Sequence, residues 1–213
     1  MGLNTLKDQV LGISGRRKRD REASTRALLE AGVAVFSELG YDAATTRDVA
    51  KRAGVSEGLI QRYFEGKAGL LIAILQTFAE EEGAMALASL PYKKTLEEEF
   101  LGILNFICQN HSKYNAFIKV ALSRAIVDPK VGAQLRTSVH EKRLPIMVAR
   151  LGHYQQMGLI PKDSDLDSIA YGISAIGFSV GFMGPQVFGY DEARLKKVAA
   201  TMSQILGKGI GGK

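Results

Sequence analysis

The chain has 213 residues, with 28 Lys and Arg against 22 Asp and Glu, a formal net charge of +6 at pH 7, and 46% hydrophobic and 23% charged residues. This length holds one large domain or a small and a medium one, and the composition excludes a disordered or fibrous chain. The basic balance favours nucleic acid over acidic protein partners. The single cysteine, Cys108, excludes an internal disulfide and suits a reducing cytoplasm.

Residues 1–20 read as a flexible basic N-terminal arm. Gly2, Gly12, Ser14 and Gly15 loosen its start, and residues 16–21, RRKRDR, place five basic residues and one acid before the first helix. Such a run either follows DNA phosphates or is a solubilising tail. From 24 to 40, Leu28, Leu29, Val33, Phe36 and Leu39 keep helical spacing, and Gly40 is a natural stop. Residues 45–64, TTRDVAKRAGVSEGLIQRYF, are the most informative stretch. Thr45 and Asp48 approximate a capping box, and Ser56 is the expected cap of a second helix. Val49, Ala50 and Ala53 share one face and Ile60 and Phe64 another, with Gly54 at the turn between them. This is a helix-turn-helix pattern, whose second helix can enter a major groove. With Ile60 and Phe64 buried, its outward face carries Glu57, Gly58, Gln61 and Arg62, flanked by Leu59 and Tyr63. Gln pairs with adenine and Arg with guanine, and Leu59 suits a thymine methyl.

Residues 65–78 form a further apolar-periodic helix. Here the chain resembles the tetracycline-repressor (TetR) family of bacterial transcriptional regulators. The matching residues run from Thr25 to about Leu71 and include Ala31, Phe36, Gly40-Tyr41, Thr45-Thr46, Asp48-Val49-Ala50, Ala53-Gly54-Val55-Ser56, Gly58, Tyr63-Phe64, Lys67 and Leu70-Leu71. Gln61 stands where the family usually has an aromatic, and Gly66 and Ala68 replace a small cap and an acid. The resemblance implies an all-α fold: a three-helix DNA-binding domain over 21–66 and a larger effector-binding and dimerisation domain over 67–213. It also implies phosphate contacts by Thr46, Tyr63 and Lys67. Arg47, Ser56, Glu57, Gly58, Leu59, Gln61 and Arg62 complete the expected DNA surface. The partners it implies are a palindromic double-stranded operator, a second copy of the chain and a small apolar effector.

Beyond the match, residues 67–88, 95–111, 113–127 and 130–157 read as helices, broken at Pro91, at Asp128-Pro129 and at Pro161. The resemblance places an effector cavity among them, with Phe78, Phe100, Leu104, Phe117, Leu122, Ile146, Met147 and Tyr154 as lining candidates, although most such side chains must be core. Residues 168–190 carry no charge, contain five glycines and include Gly177-x-x-x-Gly181. They are long enough for a membrane span, but the glycines, hydroxyls and Pro185 favour a buried interface helix. The segments 165–183 and 191–206 are the expected dimer bundle, through Tyr171, Ala175, Phe178, Phe182, Leu195, Val198 and Met202. The final GKGIGGK reads as a flexible tail. His111, His140 and His153 show no ligand spacing, and no nucleophile or phosphate-loop motif is present. The chain is therefore expected to be a non-enzymatic, cytoplasmic regulator with neither metal nor cofactor.

Overall fold

The computed structural model describes residues 3–77 and 83–211, giving the backbone course alone for 3–18 and 138–140. The described residues are helical, without strands, and form two units that divide between Ile74 and Leu75. The division falls within a helix, Lys67–Thr77, rather than at the expected 66–67 boundary.

The first unit holds α1 (Leu3–Leu39), α2 (Thr46–Ala53), α3 (Gly58–Phe64) and the start of α4 (Lys67–Thr77). Residues 3–20, expected as an arm distinct from the first helix, are continuous with α1. No proline occurs before Gly40, and the Arg, Lys, Glu and Ala that dominate residues 16–31 are good helix formers, so nothing breaks the turn. Leu28, Val35 and Phe36 of α1 bury with Val49, Ala50, Ile60, Leu70, Leu71 and Ile74. Each large side chain withdrawn from water contributes about 1.5–3 kcal/mol, so this small core suffices to hold short helices.

The second unit is built on α6 (Leu96–Lys113), which packs against α10 (Leu166–Phe178) and α12 (Glu192–Ile210). Around it lie α5 (Met85–Ala88), α7 (Asn115–Val127), α8 (Pro129–Thr137), α9 (Leu144–Gln156) and α11 (Gly184–Gln186). π-Helical stretches interrupt the expected long helices. Ser138–Arg143 separates α8 from α9, and Ser179–Met183 separates α10 from α11. Pro145 and Pro185 each stand in the first turn of the helix that follows, where a missing N–H costs nothing.

Two expectations change here. The Gly177 and Gly181 face is turned inward, not toward a second copy. A Cβ on Gly177 would meet Ile107 at 2.7 Å, and one on Gly181 would meet the Cys108 Cα at 2.8 Å, so the glycines seat this segment on α6. Leu166–Gln186 is thus apolar enough to cross a membrane by composition, while one of its faces packs within the unit. The expected tail from 207 is also helical, to Ile210. Gly207 is buried, and a Cβ there would lie 2.9 Å from the Glu97 nitrogen, so the last turn is held by close crossing with α6.

A charged cluster is buried at the α6–α9 crossing. Arg150 Nε donates to Glu99 Oε1 at 2.8 Å and its Nη1 to the Leu90 carbonyl at 2.7 Å. The Tyr154 hydroxyl donates to Glu99 Oε2 at 2.7 Å and accepts from the Lys93 N–H at 2.8 Å. Burial, reinforced by Glu99, pushes the Tyr154 phenol above its ordinary pKa. Buried charge is tolerated where every lone pair and proton is met in this way.

Candidate functional site

Local chemistry sets the α2–α3 hairpin. The Thr45 hydroxyl accepts from the Asp48 N–H at 3.1 Å, and the Thr45 N–H donates to Asp48 Oδ2 at 3.0 Å, closing the expected capping box. The Thr45 side chain holds the Asp48 carboxyl below the usual carboxylate range. At the other end Gly54 adopts φ +67°, with Val55 N–H donating to Ala50 O and Gly54 N–H to Lys51 O. These paired bonds form a Schellman stop, which needs a residue tolerant of the left-handed region. The cap of α3 differs from expectation. Glu57 is its N-cap, without a side-chain cap bond. The first turn closes by backbone alone, Leu59 N–H to Ser56 O at 3.1 Å and Ile60 N–H to Glu57 O at 3.0 Å. The tight i to i+3 entry satisfies these N–H groups without a hydroxyl.

On α3, Ile60 is fully buried and Phe64 nearly so, while Glu57, Gly58, Gln61 and Arg62 are exposed and Leu59 and Tyr63 half-buried. Arg47 and Ser56 are also exposed. The Thr46 hydroxyl donates to Glu57 Oε1 at 2.6 Å, tying α2 to the start of α3. Tyr63 packs edge-on to Phe64 and lies beneath the Arg21 guanidinium, 5.1 Å from its ring centroid. Lys67 has an unexpected disposition. Its ammonium donates to the carbonyls of Tyr41 (2.7 Å), Ala44 (2.8 Å) and Asp42 (3.4 Å), and it sits 4.5 Å from the Tyr41 ring centroid. An ammonium has three protons, and here all three point into the α1–α2 turn. Lys67 is a brace for that turn in this structure rather than a free phosphate ligand.

The second unit holds a cavity of about 410 Å³, within the size range of small-molecule sites. Of the expected lining, Phe117, Leu122 and Met147 face it. Phe100, Leu104 and Tyr154 are instead fully buried in the core against α9, α10 and α12, and Ile146 packs on that core without reaching the cavity. Phe78 lies outside the described residues. Of the expected dimer residues, Tyr171 and Ala175 are exposed, and with Phe178 they also border the cavity. Leu195, Val198 and Met202 are partly buried on the core. Phe182, 5% exposed, is a correction: it stacks on Phe178 at 5.3 Å and faces inward, because the π-helical turn after Phe178 rotates it away from the surface.

The polar lining residues that sequence reasoning missed are Asn110, His111, Tyr114, Arg143 and Ser174. His111 continues the face of Phe100, Leu104 and Ile107 at helical spacing, a signal that would have found it. Arg143 had no such signal. Burial, with the Arg143 charge, lowers the His111 pKa from 6.5 to about 4, and its Nδ1 has no hydrogen-bond partner. A depressed histidine pKa means that the folded state is favoured fully above the unfolded value and loses that advantage as pH falls through it. The chain is therefore expected to lose about 3 kcal/mol of stability between pH 6.5 and 4, a slope that His111→Phe removes in urea melts across that range.

A capped α2, a glycine-turned corner and an α3 that buries one face while exposing Gln61 and Arg62 define a helix-turn-helix. Residues 28–74 match the model of the bacterial regulatory proteins of the tetR family. That match lies wholly within the first unit. The chain is 28% identical over 155 residues to the transcriptional repressor KstR of Mycobacterium tuberculosis, an alignment covering 70% of this chain and 66% of that protein. It thus spans slightly under two thirds of that repressor's length. Over 49 residues it is 47% identical to the transcriptional regulator BetI of Yersinia pestis, covering 23% of this chain and 25% of BetI. Salmonella enterica GusR shares the fold with a TM-score of 0.72 at 20% identity, over 87% of this chain and 95% of that one.

Proposed function

We propose that the chain is a dimeric transcriptional repressor that reads a palindromic operator through α3 and is released by a small ligand in the second unit. The observation that carries this reading is the exposure of Gln61 and Arg62 opposite the buried Ile60 and Phe64. That arrangement presents two bidentate base readers on a helix short enough to enter a major groove. The relatives' names, repressor and transcriptional regulator, agree with it. A two-fold dimer would use the exposed side of α10, where Ser168, Tyr171, Ala175 and Ser179 fall at helical spacing. Tyr171 and Ala175 also border the cavity, so a ligand there would touch the helix on which the two copies meet. A ligand that prefers one spacing of the two reading heads lowers operator affinity by its differential binding, and DNA weakens the ligand reciprocally.

The test is selection of duplexes from a randomised pool, followed by binding of variants to the selected site. Arg62→Ala and Gln61→Ala are each expected to cost about 1–3 kcal/mol on the selected site and to relax preference at one base pair. Lys67→Met is expected to destabilise the α1–α2 turn while leaving the salt dependence of DNA affinity unchanged. A phosphate ligand would instead flatten the log–log salt slope by about 0.9. Absence of any selected sequence at low salt would defeat the reading.

A further inference from the structure

The cavity of the second unit is walled mostly by apolar side chains, yet one guanidinium, that of Arg143, stands in its wall. Among the described residues no Asp or Glu lines the cavity. Arg143 Nε is buried without a hydrogen-bond partner. Its neighbour Glu141 is exposed and is engaged by the Thr137 hydroxyl at 3.3 Å, and Lys142 is exposed. The seat for the guanidinium is built by Gly83, where a Cβ would fall 2.6 Å from Nε and 2.7 Å from Nη2. Arg143 is also the last residue of a π-helical stretch, an irregularity that recurs at functional sites. The contrast with Arg150 is internal to the same unit: there Glu99 meets the charge in full. Removing a cation from water without a partner is expensive, and burial accordingly depresses the Arg143 pKa. Arg143 has the fork geometry that matches a carboxylate bidentately.

We propose that the cavity takes an amphiphilic carboxylate, its oxyanion paired with the Arg143 guanidinium and its apolar body lying among Phe106, Phe117, Leu122 and Met147. This deepens the effector reading above by naming the ligand's chemical class, and it concerns binding rather than the release of DNA. His111 lines the same cavity, its pKa lowered first by burial and then by the Arg143 charge.

The probes are decanoate, decan-1-ol and decylammonium, titrated calorimetrically into the full chain at pH 7.5. Decanoate is expected to bind at least tenfold more tightly than decanol, with decylammonium weakest. Arg143→Met should bring decanoate down to the level of decanol while leaving decanol unchanged, and Arg143→Lys should keep part of the preference. Without ligand, Arg143→Met should melt at a higher temperature than the native chain, since it removes an unmet charge; a purely structural arginine would give the opposite shift. Decanoate should also raise the His111 pKa measured by NMR. Equal binding of decanoate and decanol, failure of all three probes to bind at millimolar concentration, or a preference that survives Arg143→Met would each overturn the proposal. If Arg143→Met fails to fold, the decanoate-to-decanol ratio in the native chain and in Arg143→Lys still decides. Carboxylate preference without any effect on operator affinity would defeat the release mechanism and leave this assignment standing.

Discussion

Replacement of Arg150 by leucine is expected to lower the free energy of unfolding by about 3–5 kcal/mol. The loss does not measure the strength of one ion pair. It arises because Glu99, 1% exposed, keeps its charge with no cation to answer it. The same substitution releases the Leu90 carbonyl, which accepts from Arg150 Nη1 at 2.7 Å, and uncovers the Tyr92 ring on which the guanidinium rests, 4.5 Å from its centroid. The double variant Glu99→Leu with Arg150→Leu should therefore be more stable than Arg150→Leu alone, since an apolar pair of similar volume leaves no orphaned charge. Urea denaturation followed by circular dichroism reads both variants. If the double variant were the less stable of the two, the cluster would be a net stabilising network rather than a mutually dependent pair.

Gly69→Ala is the second large effect. A Cβ at Gly69 would fall 1.6 Å from the Phe64 carbonyl oxygen and 2.8 Å from its carbon. The obstacle is backbone, at a corner already committed by Glu65 (φ +61°) and Gly66 (φ +107°), so no rotamer relieves it. The α3–α4 corner must open. The expected cost is about 3 kcal/mol or more, at the upper end for overpacking, with loss of duplex binding because α3 is displaced. Gly209→Ala serves as the control. It is also helical and has nothing within 4 Å of the added carbon, so it should be neutral or gain up to about 1 kcal/mol from improved helix propensity. Comparable damage from both substitutions would mean that crowding at Phe64 is not the cause.

The first unit was largely legible from sequence because its decisions are short-range. Thr45 and Asp48 are three residues apart, Gly54 needs a left-handed backbone at one position, and Ile60 and Phe64 declare a buried face by period. The cap of α3 was misread because two backbone bonds of a tight turn did what a Ser56 hydroxyl was expected to do. In the second unit, composition could supply apolar side chains but not their partners. Phe100 and Phe117 are equally apolar; only packing against α10 and α12 makes the first core, and the gap between α7 and α10 makes the second a cavity wall. Gly177 and Gly181 declared a close approach correctly, yet their sequence does not say that the approaching helix is α6 of the same chain. Arg143 was silent for the same reason. A cation beside Lys142 and Glu141 reads as solvated surface until the fold turns it onto Gly83.

Tyr171 has a practical use that follows from its place on α10. Its ring borders the cavity while 57% of it faces solvent, and the chain contains no tryptophan. An indole introduced there would be the sole such fluorophore. Its emission would report filling of the pocket and burial of the α10 surface as separable signals, one saturating with added amphiphile and the other with protein concentration.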